Sequence, residues 1–267
     1  MKLCILDNDT LDGELAQRYT SFGAMFVRLF DSVGAHWTYD IFSTQRGEYP
    51  VSFDAFDAVL LTGSASDSFS DEAWAVELRH RVTLLLTQRK KMVGVCFGHQ
   101  LIGLCMGAPV ARAPQGWGEG RMSYDWLRPD LPHCQDRKQI SLLVSHQDQV
   151  LELPKGATLV ASSPFCPVAA FTVGNEVFCI QAHPEFDVGF SQYLLDEQRA
   201  RMGEAEHAAR SEALAAGHEG ADVARMVVAF LENSPGALDK LAPGFGNFAW
   251  PVLVGPAAQP GLVTRVA

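Results

Sequence analysis

Basic residues are scarce in this chain of 267 residues, where 21 lysines and arginines stand against 31 aspartates and glutamates and the formal net charge is −10. No block rich in Lys and Arg appears, so a nucleic-acid partner is not expected, because such binding needs a basic face that displaces counterions. Long apolar runs are missing too, and none reaches the ~20 residues that a membrane span requires. The first apolar run, Leu3–Leu6, is short and followed by acids, which predicts a first strand and not a signal peptide. No membrane partner is expected either.

Closely paired cysteines are also lacking. The chain has six cysteines and no Cys-x-x-Cys motif, so we expect neither a disulfide framework nor a zinc site, and no cofactor. His133 and Cys134 are the only adjacent histidine and cysteine, and no further ligands lie near them. A reducing cytoplasm fits this composition because it would keep a reactive thiol free. The cysteines are Cys4, Cys96, Cys105, Cys134, Cys166 and Cys179.

What the chain does have, in its first hundred residues, is an alternation of short apolar runs and helix-length segments. Strands that are apolar throughout and alternate with helices are typical of a parallel sheet covered on both faces. The predicted fold class is therefore α/β, with a doubly wound, mostly parallel central sheet. The predicted strands are Leu3–Leu6, Trp37–Phe42, Ala58–Leu61 and Met92–Val95, and the helices lie around Tyr19–Val33 and Ala73–Arg89.

After Met106 the strand-like runs follow one another closely, which predicts a small antiparallel extension leading back to the central sheet. These runs are Arg121–Trp126, Gln139–Val144, Thr158–Ser162, Ala169–Val173 and Val177–Ala182. We then expect an exposed helix over Gln192–Gly217 and an amphipathic helix over Ala221–Asn233. Residues 1–233 are predicted to form one domain, and residues 234–267 a tail rich in Pro and Gly whose role stays open. Whether copies of the chain form homo-oligomers stays open as well.

A cysteine lies on a tight, glycine-flanked turn. Residues 94–100 read Gly94-Val95-Cys96-Phe97-Gly98-His99-Gln100, between the strand ending at Val95 and a helix beginning near Gly98. This is the cysteine version of the strained strand-to-helix turn of Gly-x-Ser-x-Gly hydrolases, a serine motif that the chain lacks. The start of the helix favours a Cys96 thiolate, and the backbone N–H of Phe97 would face a developing oxyanion. The structural alternative is a buried cysteine in a helix-capping turn.

A base and a carboxylate follow a later strand, in the run His183-Pro184-Glu185. They leave the same edge of the predicted sheet to which Cys96 belongs. His183 can take the thiol proton and give it to a leaving amine, while Glu185 holds the imidazole tautomer. The motif could instead be a plain turn, and His99 and His146 are competing bases. We expect His99 to be structural and His146 to belong to a substrate loop.

These motifs resemble those of the class I glutamine amidotransferases, over roughly residues 1–190 and in the same order. Within that family the runs 61–69, 95–100 and 146–150 look most like the stand-alone, GMP-synthase-like branch that includes the γ-glutamyl peptidases. The resemblance implies that Gly63 gives a second oxyanion N–H, although the usual Gly-Gly-Pro or Gly-Pro-Gly loop is Gly63-Ser64-Ala65 here. It also implies substrate-binding roles for Gln100, Ser145, His146, Gln147 and Asp148. Gly116–Gly120 matches the turn after the elbow helix.

The function implied is hydrolysis, through a γ-glutamyl thioester on Cys96, of the γ-carboxamide of glutamine or of a small-molecule γ-glutamyl amide or peptide. About 77 residues follow residue 190, which is short for a synthetase domain, and no Gly-x-x-x-x-Gly-Lys-Ser/Thr loop occurs. Both points favour a hydrolase acting alone. The main alternative is a glutaminase subunit that feeds ammonia to a separate synthetase. A non-enzymatic, DJ-1-like cysteine-elbow protein is disfavoured by His183-Pro184-Glu185.

Overall fold

A computed structural model of the chain describes residues 1–133 and 137–232. Its strands are β1 (Lys2–Asp7), β2 (Thr38–Ser43), β3 (Ala58–Leu61), β4 (Lys91–Val95), β5 (Val110–Arg112), β6 (Gly118–Trp126), β7 (Gln139–His146), β8 (Asp148–Val150), β9 (Thr158–Ser162), β10 (Ala170–Val173) and β11 (Val177–Ile180). Its α-helices are α1 (Gly13–Tyr19), α2 (Phe22–Ser32), α3 (Ala73–Thr87), α4 (Phe97–Cys105), α5 (Val188–Glu197), α6 (Arg199–Met202), α7 (Glu204–Leu214) and α8 (Gly220–Glu232). Short 3₁₀ helices lie at Thr44–Arg46 and Phe53–Ala55.

The central sheet has the strand order β2-β1-β3-β4-β11-β10-β9-β6-β7. The first five of these strands are parallel to one another. Strand β3 and the apolar parts of β1 and β4 are buried, as expected for strands with a helix layer on each face. The α/β class predicted from the alternation of strands and helices is confirmed. Strands β4 and β11 are direct neighbours, with Val95 opposite Ile180, so the turns that follow them emerge side by side.

The antiparallel extension is also confirmed. Strands β10 and β11, β9 and β10, β6 and β9, and β6 and β7 pair antiparallel. A separate two-stranded sheet of β5 and β8 was not predicted, because strands of three residues leave no periodicity to read. Strand β7 runs two residues beyond its predicted end, to His146.

Two predicted helices are wrong in extent. The segment 192–217 is not one helix: it divides into α5, α6 and α7, and Gly203, with φ of 83°, separates the last two. The helix around 19–33 begins only at Phe22, because Thr20 has φ of 71° and the Ser21 side chain caps α2 by accepting the N–H of Ala24 at 3.1 Å. The amphipathic helix near the end is confirmed as α8, which buries Val223, Phe230 and four neighbouring apolar residues of one face.

Helices cover both faces of the sheet. On one face, α2 and α8 pack together and bury Phe26, Phe30 and Phe230. On the other, α3 and α4 bury Leu78, Leu85 and other apolar side chains against the sheet. Each such side chain removed from water contributes about 1.5–3 kcal/mol. No helix within residues 1–133 and 137–232 has the length and apolar character needed to cross a bilayer. The predicted tail (residues 234–267), Asn233 and Cys134 lie outside the described residues.

Candidate active site

The turn at Cys96 has the strand-to-helix geometry that the sequence predicts. Strand β4 ends at Val95, α4 begins at Phe97, and Cys96 between them has φ of 51° and ψ of −104°. A side chain at positive φ is strained and persists where its surroundings hold it. Here the Cys96 N–H donates to the carbonyl of Ile180 at 2.9 Å.

Glycine is required on both sides of the turn for steric reasons. A Cβ on Gly94 would lie 2.6 Å from the carbonyl oxygen of Gly98, and one on Gly98 would lie 2.5 Å from the carbonyl oxygen of Leu61. The backbones of β3, β4 and α4 therefore touch directly around the turn. This close approach holds Cys96 between the ends of β3 and β11.

His183 and Glu185 lie just beyond the end of β11. The His183 N–H donates to the carbonyl of Leu143 at 2.9 Å, and its ring Nδ1 lies 2.7 Å from Oε1 of Glu185. Both side chains are buried, with exposed fractions of 4% and 0%. The Phe186 ring stacks on the imidazole, with centroids 3.8 Å apart and planes at 12°. Contacts on two sides thus fix the orientation of the imidazole.

Cys96 is a side-chain hydrogen-bond partner of the same imidazole. Burial lowers the pKa of His183, but the charges of Glu185 and Cys96 and the hydrogen bonds to both outweigh burial and raise that pKa to about 10. The raised pKa favours the imidazolium form of His183. Because Nδ1 is engaged by Glu185, Nε2 is the nitrogen left for exchange of a proton with sulfur or substrate.

The predicted oxyanion donors flank Cys96. A Cβ on Gly63 would lie 2.8 Å from Cε1 of His183 and 3.6 Å from Cβ of Cys96, so this loop after β3 lies against both residues. Phe97 is the first residue of α4, where backbone N–H groups have no acceptor within the helix. Its ring stacks on Trp74 with centroids 5.7 Å apart.

A cavity of about 360 Å³ opens beside Cys96 and His183. All the substrate-binding residues predicted from the sequence line it: Gln100, Ser145, His146, Gln147 and Asp148. The Gln100 amide is already engaged, since Nε2 donates to the carbonyl of Asp148 at 2.8 Å and to Oε1 of Gln181 at 3.2 Å. Gln100 therefore shapes the wall by holding the loop at Asp148.

Burial shifts the pKa values of His146 and Asp148, two residues of the substrate loop, in opposite directions. Burial, aided by the charge of His183, lowers the pKa of His146 to about 4, so this imidazole is neutral near pH 7. Burial, together with Asp67, raises the pKa of Asp148 to about 6, against the opposing charge of Arg112. Arg112 donates to the Gln147 side chain at 2.9 Å and to both carboxylate oxygens of Asp67 at 3.0 and 3.1 Å. One arginine thus links two sides of the cavity mouth.

His99, one of the competing bases, is completely buried in α4 and packs on Phe171 with centroids 5.1 Å apart. Burial lowers its pKa to about 3, with a smaller contribution from His146. It is not part of the cavity wall. His99 is therefore part of the packed interior and not of the cavity, as the sequence analysis expected.

Several cavity residues were missed by the sequence analysis. Phe186 directly follows the His-Pro-Glu motif, so proximity in sequence was an available signal. Asp9 and Arg112 carry no motif, and Asp67 was given no role although it lies in the run 61–69. These three residues come together only through the fold. An apolar wall was missed as well, because its members lie on α1, α2 and α5. The members are Leu15, Phe22, Phe190 and Leu194.

Three features define a cysteine-elbow α/β protein: a strained cysteine turn, an imidazole paired with a carboxylate just after the neighbouring strand, and a doubly wound sheet. The model of the glutamine amidotransferase class-I family matches residues 16–197. The chain belongs to that family, and the resemblance seen in the motifs is confirmed.

Known proteins agree with this assignment. Gamma-glutamyl peptidase 3 of Arabidopsis thaliana is 35% identical over 187 residues, covering 67% of this chain and 74% of the relative. A glutamine-hydrolysing GMP synthase of Aeropyrum pernix is 34% identical over 148 residues, covering 53% of this chain and 26% of that enzyme. A crystal structure of a glutamine amidotransferase from Thermotoga maritima shares the fold, with a TM-score of 0.69 at 16% identity over 87% of this chain and 99% of that one.

Proposed function

We propose that this protein hydrolyses the γ-carboxamide of glutamine or of a γ-glutamyl amide or peptide, with Cys96 as nucleophile, His183 as acid and base, and Glu185 as the carboxylate that orients His183. The observation that carries the proposal is the 2.7 Å pair of His183 and Glu185, buried beside the strained cysteine turn. The family membership and the γ-glutamyl peptidase relatives support the same bond as the target.

The reaction follows from these positions. The Cys96 thiolate attacks the γ-carbonyl carbon, and the carbonyl electron pair moves to oxygen, where the N–H groups of Gly63 and Phe97 stabilise it. As the tetrahedral intermediate collapses, the C–N bond breaks and His183 gives its proton to the leaving nitrogen. Ammonia or an amine departs and a γ-glutamyl thioester remains. Water then loses a proton to His183 and attacks the thioester, the C–S bond breaks, and glutamate leaves.

The substrate is held in the cavity lined by Gln100 and by the loop Ser145, His146, Gln147 and Asp148. A volume of about 360 Å³ lies within the range of sites that enclose whole small molecules, roughly 300–1,000 Å³. The leaving amine departs on the side of His183, because that residue protonates it. The apolar wall reaches this side through Phe190, whose ring lies 4.5 Å from that of Phe186, and it offers apolar contacts to a leaving group larger than ammonia.

A reducing compartment such as the cytoplasm suits the proposal, because Cys96 must remain a thiol. Cys96 and the other cysteines of the described residues are free.

The test is glutamate release by purified protein from glutamine and from a panel of γ-glutamyl amines and dipeptides. We expect the wild type to release glutamate. Cys96→Ser should abolish this turnover, and the matched variant Cys105→Ser should retain it. Cys105 is a suitable control because it lies at the end of α4, away from the cavity.

The GMP synthase relative favours one second candidate, a glutaminase subunit that delivers ammonia to a separate synthetase. No turnover of any substrate, combined with rapid alkylation of Cys96 at neutral pH, would support that candidate. A Cys96 that is neither alkylated nor active would support the non-enzymatic alternative and refute both enzymatic functions.

A further inference from the structure

The loop that carries Gly63 is tied to the loop after β1. Asn8 is completely buried and contacts Thr62 twice. Its backbone N–H donates to the Thr62 hydroxyl at 2.9 Å, and its side-chain Nδ2 donates to the Thr62 carbonyl oxygen at 2.9 Å. Neither residue belongs to the proposed triad. The two contacts join positions 54 residues apart in the sequence.

The orientation of the Asn8 amide is fixed from its other end. Thr44, also completely buried, donates its hydroxyl to Oδ1 of Asn8 at 3.0 Å. The Asn8 oxygen therefore faces Thr44 and its NH₂ group faces Thr62. A buried amide satisfied at both ends by fixed partners holds one orientation.

That orientation determines where the Gly63 N–H points. The carbonyl of Thr62 and the N–H of Gly63 belong to one planar trans peptide, in which C=O and N–H point in opposite directions. By holding the carbonyl oxygen, Asn8 prevents this peptide plane from rotating. Gly63 itself lies against Cys96 and His183, since a Cβ on it would approach both. A rotated peptide would turn its carbonyl oxygen toward the substrate oxyanion and repel it.

A second contact holds the loop further along. Asp9 accepts the N–H of Ala65 through Oδ2 at 2.6 Å and the N–H of Thr10 through Oδ1 at 2.8 Å. The loop Gly63-Ser64-Ala65 is thus attached at both ends to the two residues that follow the first strand.

We propose that Asn8 is a positioning residue for catalysis: through the Thr62 carbonyl it aims the Gly63 N–H at the oxyanion, with Asp9 holding the far end of the loop. The inference rests on the proposed hydrolysis of γ-glutamyl amides. Loss of an oxyanion donor typically costs about 10²–10³ in rate. A preorganised donor acts in the transition state, so the loss should appear in kcat and leave KM nearly unchanged.

Two substitutions of Asn8 separate this role from a purely structural one. Asn8→Ala removes the donor at every pH, and we expect kcat to fall about 10²-fold at a constant ratio to the wild type. In Asn8→Asp the introduced carboxyl is buried, which raises its pKa. When protonated it can donate to the Thr62 carbonyl, and when ionised it cannot. The ratio of variant to wild-type kcat should therefore rise as the pH is lowered from 9 to 5.5.

The control reaction is alkylation of Cys96 by iodoacetamide, which needs the thiolate but no oxyanion donor. Its rate should stay within about threefold of the wild type in both variants, and their melting temperatures are measured alongside. If either Asn8 variant fails to fold, Asp9→Ala serves in its place, because Asp9 is partly exposed. It should lower kcat several-fold, and Asp9→Asn, which keeps an acceptor for Ala65, should restore most of it.

The possible results are distinguishable. Folded variants with a kcat near that of the wild type, or with the loss confined to KM, overturn the positioning role but leave the hydrolase intact. An equal fall in alkylation and kcat also overturns it, because the nucleophile would then be affected directly. A wild type that turns over none of the γ-glutamyl compounds overturns the proposed function, and this inference with it.

Discussion

Replacing Gly63 by alanine introduces a methyl carbon 2.8 Å from Cε1 of His183 and 3.6 Å from Cβ of Cys96. Carbon atoms pack favourably at about 3.5–4.0 Å, so the imidazole would have to retreat by roughly 0.7 Å. It has little room to do so, because Glu185 holds Nδ1 at 2.7 Å and the Phe186 ring stacks at 3.8 Å. We expect this crowding to disturb the reacting groups more than the fold.

Displacements of about 1 Å cost as much as 10²-fold in rate, so we expect Gly63→Ala to lower kcat 10- to 100-fold. Overpacking of this kind costs about 1–3 kcal/mol of stability. Gly63 has no positive φ that an alanine would strain, so the effect is steric. The assay is glutamate release from the best γ-glutamyl substrate, with thermal unfolding in parallel. Cys105→Ser, at the end of α4 and away from the cavity, is the control. A Gly63→Ala protein within threefold of wild-type kcat would refute the reasoning.

Three further predictions concern His183 and the buried His99. Glu185→Gln removes the charge that contributes most to raising the pKa of His183, so that only Cys96 still opposes the lowering by burial. We therefore expect slower alkylation of Cys96 at pH 7 and a fall in kcat of about 10²-fold or more; unchanged alkylation contradicts this. Phe186→Leu removes the ring stacked on His183 and should lower kcat several-fold with little change in KM, whereas a change confined to KM would assign Phe186 to substrate binding. His99 has a pKa of about 3 when folded and about 6.5 when unfolded, so the unfolded chain takes up protons first as pH falls below 6.5. The free energy of unfolding of the wild type, relative to that of His99→Gln, should therefore fall by about 2 kcal/mol between pH 7 and pH 5. Urea unfolding measures it, and an unchanged difference would contradict burial of a neutral imidazole.

The sequence was informative wherever structure depends on neighbours along the chain. The run from Gly94 to Gly98 predicted a turn whose strand, strained cysteine and helix are all present. His183 and Glu185 could be paired because only Pro184 separates them and because they follow a recognisable strand. The parallel sheet followed from apolar runs, which report burial on both faces.

Features that depend on residues far apart in the sequence could not be predicted from it. The tie between Asn8 and Thr62 spans 54 residues, and nothing in either local pattern requires it. The break at Gly203 was missed because the segment is rich in helix-forming residues on both sides, and a single glycine interior to such a pattern is tolerated at a cost of ~1 kcal/mol. The roles of Gln100 and of the loop 145–148 remain predictions, although the fold brings them to one cavity.

The adjacency of β4 and β11 has a consequence for how this enzyme can change. Cys96 and His183 are 87 positions apart in the printed sequence, yet each follows one of two hydrogen-bonded strands with Val95 opposite Ile180. Between them, the chain from Gly107 to Glu176 adds β6, β7, β9 and β10 to one side of the sheet and then returns as β11 beside β4. The loops of this segment, which include Arg112 and the substrate loop, can vary in sequence while Leu143 keeps its contact with the His183 N–H. Part of the cavity wall is thus encoded apart from the nucleophile and its base, and exchange of these loops between relatives is a direct route to new substrates.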